Sequence, residues 1–173
     1  MNDKVDWQYL FLDTRARVYL VWAALGTVGF LATHFYQVEQ INVFWTFLSV
    51  IGMYYMFRVM PLRVRQMRHI FLGWLLTIIA GVLISGLVFV LDLPFAGFLI
   101  GHLGGFWLLL MAQAYAGNGY VDKPGRWYYF AAALNAVFGI LCLTVDAFLP
   151  GQYLIAAVVT AWSMLYLWLF RSS

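Results

Sequence analysis

Residues Phe95–Tyr115 read FAGFLIGHLGGFWLLLMAQAY. The stretch is apolar except for His102 and Gln113, and Gly97, Gly101, Gly104 and Gly105 crowd its first half. A bilayer-crossing helix needs about 20 mainly apolar residues, and this stretch supplies them. An ionisable ring inside such a segment is costly unless other protein shields it from lipid. The same residues therefore decide the fold class and raise the functional question.

The rest of the chain agrees with a membrane origin. Of its 173 residues, 65% are hydrophobic and only 10% are charged. Soluble domains carry about a quarter charged residues, so too few are present here to cover a water-facing surface. No hydrophilic stretch is long enough to fold separately. A single cysteine, Cys142, rules out an intrachain disulfide and a thiolate-cluster metal site.

Six apolar segments emerge, running from Val18 to Tyr36, Ile41 to Met60, Ile70 to Leu91, Leu93 to Ala116, Trp127 to Ala147, and Gln152 to Phe170. Turn residues separate most of them: Pro61, Pro94, the string GNGYVDKPGR, and LPGQ. The fold class predicted is all-α, one bundle of six transmembrane helices over residues 18–173. Residues 1–17 hold charges and the apolar Trp7, Leu10 and Phe11. They read as a segment at the membrane surface.

Charge gives the orientation. With six spans, all ten Lys and Arg residues fall on one side, and Glu39, Asp92 and Asp146 on the other. Lys and Arg mark the cytoplasmic face. Both termini are therefore expected in the cytoplasm of a multi-pass cell-membrane protein. The net charge of +3 is a topology signal, and nucleic acid is not an expected partner.

Lipid is as apolar as leucine, so small and polar residues mark the protein-facing side of a membrane helix. Gly73, Thr77, Gly81 and Ser85 recur at four-residue intervals in the third span. Tyr128, Asn135, Gly139, Cys142 and Asp146 share one face of the fifth. In the fourth, Gly97, Gly101, Gly104 and Gly105 form a smooth ridge, with His102 and Gln113 on the strip beside it. Close helix approach is expected at Gly81, Gly97, Gly101, Gly105 and Gly139. That approach would turn His102 toward the interior. His102, Ser85, Asn135, Asp146 and Gln113 then become the ligand-binding candidates, in a polar cavity in the outer half of the bundle.

The sequence carries no HExxH, Walker loop, dinucleotide fingerprint or nucleophile elbow. His34 and His102 differ in depth by about 10 Å on the helix rise, which disfavours haem. LISGLVF and IGHLGGFW resemble the serine and histidine helices of rhomboid intramembrane proteases, which would imply Ser85 as nucleophile and His102 as base. Leu83 stands where that family's GxSG pattern has its first glycine. Six spans with cytoplasmic termini resemble, in architecture, the substrate-binding subunits of energy-coupling-factor vitamin transporters. Their AxxxA pattern would pair Ala23 with Thr27 here and is not reproduced. No cofactor is identifiable. The leading expectation is small-solute transport or binding. The alternative is a non-catalytic structural subunit of a larger membrane complex, and the third is an intramembrane enzyme; the expected partners are the lipid bilayer and either further copies of the chain or other members of a membrane complex.

Overall fold

The computed structural model describes residues 14–36, 40–90, 95–122 and 125–171. The first thirteen residues of the expected surface segment lie outside them, as do Glu39 and Asp92 of the expected acidic rim. Among the described residues the chain is helical, without strands. Its helices are α1 (Thr14–Phe35), α2 (Ile41–Val59), α3 (Arg65–Val90), α4 (Ala96–Gly101), α5 (Leu103–Val121), α6 (Arg126–Thr144) and α7 (Gln152–Arg171). A 3₁₀ turn, Asp146–Gly151, leads into α7.

The ends follow local chemistry. Met60 is extended, with φ −79° and ψ 136°, because the ring of Pro61 disfavours helical backbone at the residue before it. Val145 is also extended and closes α6, and Pro150 sits in the 3₁₀ turn that follows.

Four stretches are long and apolar enough to cross a membrane: Arg17–Phe35, Arg65–Leu87, Arg126–Thr144 and Asp146–Phe170. The remaining long helices, α2 and α5, have 19 residues each. All six long helices pack in one closed ring, α1–α2–α3–α5–α6–α7 and back to α1, with α5 also reaching α7 across it. The closest partners are α5 with α6 and α1 with α7. Tyr115, Tyr128, Leu108, Leu167 and Asn135 fill the middle.

Glycine notches set the helix spacing. A Cβ at Gly52 would lie 2.6 Å from the Trp22 ring, and one at Gly29 would lie 2.5 Å from the Trp45 ring. The antiparallel α1 and α2 thus exchange indoles reciprocally. A Cβ at Gly81 would lie 2.2 Å from Trp107, so α5 seats its indole in α3. Between α5 and α6 the contact is backbone on backbone: a Cβ at Gly105 would be 3.0 Å from the Gly139 carbonyl oxygen. These indoles also hold polar partners, with Trp45 Nε1 donating to Thr33 Oγ1 at 2.8 Å. Tryptophans often sit in belts at the membrane boundary, but two of these do not. Instead Trp45 stacks on Trp107, and Trp74 is buried between Trp22 and Tyr115.

The opening stretch departs most from expectation. The fourth span was read as continuous from Leu93 to Ala116, but the helix breaks at His102, whose φ is −121° and ψ 15°. The broken backbone groups need new partners in a membrane, and α7 supplies them. Gln152, buried at the start of α7, accepts from the Gly104 N–H at 2.9 Å and donates to the Gly101 carbonyl at 2.5 Å. A Cβ at Gly104 would come within 2.9 Å of that amide oxygen, so glycine is what lets the clamp close. Gly97 and Gly101 differ from the expected ridge, since a Cβ on either would meet nothing within 4 Å. Only the α5 end of the glycine series is a helix contact.

Candidate functional site

The five residues expected to share one outer cavity occupy five separate settings. Ser85, buried on α3, accepts a hydrogen bond from Trp107 Nε1 at 3.2 Å. Asn135, fully buried on α6, donates from Nδ2 to the Ala131 carbonyl and to Ser163 Oγ, both at 2.8 Å. Its Oδ1 is buried without a hydrogen-bond partner among the described residues. Asp146 opens the 3₁₀ turn at the surface.

His102 turns outward, away from the interior strip. Its ring stacks on exposed Phe98 with centroids 4.0 Å apart, and Nδ1 lies 2.6 Å from the Phe98 carbonyl oxygen. A carbonyl only accepts, so Nδ1 is the donor in this bond. The break at His102 is the reason: the ring folds back over its own preceding turn. The serine–histidine chemistry considered from the sequence is not assembled, because Ser85 is bonded to an indole and His102 to its own helix. Among the described residues, no group of three or more His, Cys, Asp or Glu side chains converges to hold a metal.

Gln113 is exposed on α5. It lines a lateral groove between α3 and α5 of about 440 Å³, together with His69, Thr77 and Asn118. This groove is the inner half of the small-residue stripe on α3. Gly81 and Ser85, the outer half, are filled by Trp107, whereas Gly73 and Thr77 face open space.

The most connected polar group lies at the opposite, basic end, where the sequence reading placed no site. Asp122, which follows α5, is only 3% exposed. Its Oδ1 accepts from Gln66 Nε2 at 2.5 Å, and its Oδ2 accepts from the Tyr128 hydroxyl at 3.1 Å. The Tyr128 hydroxyl is also bonded to the Tyr19 hydroxyl. One carboxylate thus joins α1, α3, α5 and α6 where they enter the basic face. A signal was present: Asp122 is the single acidic residue on the basic side after residue 13. It was obscured by its place in a string of turn residues.

The chain matches no family model, no curated protein and no solved structure.

Proposed function

We propose that the chain is a six-span cell-membrane protein with both termini in the cytoplasm. Its role is that of a non-catalytic structural subunit in a homo-oligomer or larger membrane complex. One observation carries the role: the polar side chains expected to line a solute path are engaged in helix-to-helix bonds, Ser85 with Trp107 and Asn135 with Ser163. Such pairs act as packing glue between membrane helices. The span count rests on the shared ring and on length. A helix of 19 residues, the shortest of the six, extends about 28 Å, close to the thickness of the hydrocarbon layer. The orientation rests on the segregation of all ten basic residues.

A cysteine replacing exposed Ala147 should label from outside intact cells. One replacing exposed Arg63 should label only after permeabilisation. Outside labelling at Arg63→Cys overturns the topology.

Solute transport remains the second reading, favoured by the helix break at His102, since discontinuous helices form many transporter sites. Thiol accessibility separates the two. The native Cys142 and a cysteine replacing Ser163 are both fully buried positions. In intact membranes both should resist a small hydrophilic methanethiosulfonate reagent and react only after denaturation. Modification from outside would mean that water reaches the interior, and would replace the structural role by transport.

A further inference from the structure

We propose that the arginine-rich turn between α2 and α3 is a binding surface for anionic phospholipids, whose phosphates are gripped by Arg58, Arg63, Arg65 and Arg68. The inference goes beyond the structural role and needs only that α3 crosses the membrane.

Residues 58–68 read RVMPLRVRQMR, with four arginines and no acidic residue. Two other basic segments are mixed. Positions 1–17 hold three basic and three acidic residues, and Asp122 stands beside Lys123. Orientation in a membrane is set by Lys and Arg alike, so it does not require that this turn be all arginine. Phosphate recognition does favour arginine. The guanidinium fork can donate to two phosphate oxygens at once, whereas lysine acts as a point charge.

All four side chains are exposed, and no hydrogen bond or ion pair joins their guanidinium groups to another described residue. The acidic neighbour, Asp122, is engaged by Gln66 and Tyr128. That bond turns Gln66 inward, and Met67 is buried next to it. Arg65 and Arg68, on either side of this pair, are left exposed. The Phe57 and Phe71 rings lie with centroids 6.2 Å apart. They tie the end of α2 to the start of α3, so the arginines belong to one surface. The charges do not serve the helix itself. Cations are unfavourable at a helix N-terminus, and the first turn of α3 has no acidic residue to offset them. An external anion relieves that repulsion.

Position selects the anion. The stretch of α3 that is long and apolar enough to cross a membrane begins at Arg65. The arginines therefore lie at the end of a span, the level of the lipid headgroups, where clusters of four or more basic residues attract anionic lipid. Phe57 and Val64, exposed beside Arg58, Arg63 and Arg65, offer apolar surface to the adjoining acyl chains. An acidic soluble protein would meet the charges and leave that apolar pair uncovered.

The test uses the full chain, purified in a neutral detergent and titrated with dioleoyl phosphatidylglycerol or dioleoyl phosphatidylcholine under native mass spectrometry. The wild type should bind phosphatidylglycerol more tightly, and high salt should erase the preference. Arg65→Gln should weaken phosphatidylglycerol binding roughly fivefold, the share of one arginine near an anionic surface. Arg126→Gln, whose guanidinium lies over the Trp127 ring, should leave it unchanged. Replacing all four arginines by lysine keeps the charge that sets insertion. That variant should melt with the wild type yet hold phosphatidylglycerol less tightly, because the phosphate loses its bidentate partners. Equal wild-type affinity for the two lipids, or undiminished binding in Arg65→Gln or in the four-lysine variant, overturns the proposal. So does tighter binding of polyglutamate than of phosphatidylglycerol, which assigns the surface to an acidic protein. None of these outcomes alters the protection of Cys142 and Ser163→Cys, so failure of the lipid site is distinguishable from failure of the structural reading.

Discussion

Gly105→Leu should lower the melting temperature of the purified protein by roughly 6–12 °C, whereas Gly101→Leu, four residues earlier, should leave it nearly unchanged. At Gly105 a Cβ would lie 2.9 Å from the Cys142 Cβ and 3.0 Å from the Gly139 carbonyl oxygen. Gly139 answers from the other side, where a Cβ would lie 3.1 Å from the Gly105 carbonyl oxygen and 2.9 Å from Leu109. Backbone cannot rotate aside as a flexible side chain can, so α5 and α6 must separate to admit a branched residue. Overpacking a tight core costs about 1–3 kcal/mol, and a backbone contact belongs at the upper end. For a chain of this size about 3 kcal/mol corresponds to roughly the stated shift. At Gly101 a Cβ meets nothing within 4 Å, so the change should stay within about 0.5 kcal/mol. Thermal unfolding in one detergent measures both. An equal loss at the two sites would mean that helix propensity, not close approach, sets the cost.

The contrast shows where local pattern ends as a guide. Both glycines belong to one series at helical spacing, and the series alone marks a smooth face. Whether a neighbour reaches that face depends on a partner helix whose position no short window encodes. Gly105 has Gly139 opposite it, and Gly81 has Trp107, but no described residue reaches Gly97 or Gly101. Most helix placements were legible because hydropathy, Pro61 and LPGQ act locally. The break at His102 was not, since the bonds that make it tolerable come from Gln152, about fifty residues away. With the helix drawn as continuous, His102 pointed inward on paper. The break turns it onto Phe98 and disperses the outer site. Ser85 and Asn135 were legible as interior positions, though their individual partners, Trp107 and Ser163, were not.

Asp122→Ala should destabilise the protein about as much as the glycine change, with a different signature. The carboxylate is buried at the basic end and joins Gln66 to Tyr128, and through Tyr128 to Tyr19. Truncation leaves the Gln66 amide and the Tyr128 hydroxyl in a site that water reaches poorly. Removing one member of a buried, charge-assisted network costs roughly 3 kcal/mol or more. Asp122→Asn keeps the shape and one acceptor oxygen, so its loss should be about 1–1.5 kcal/mol. Tyr128→Phe should cost roughly 1 kcal/mol by the same reasoning. Because Asp122 and Gln66 act as one unit, the double variant Asp122→Ala, Gln66→Ala should lose less than the sum of its parts, with a coupling of about 0.5–3 kcal/mol. The glycine pair, being a steric contact, has no such rescue when a second bulky residue is added. Thermal unfolding of the four variants and the double variant measures the network directly. If Asp122→Ala melts with the wild type, or the two losses simply add, the carboxylate is hydrated and does not hold the four helix ends together.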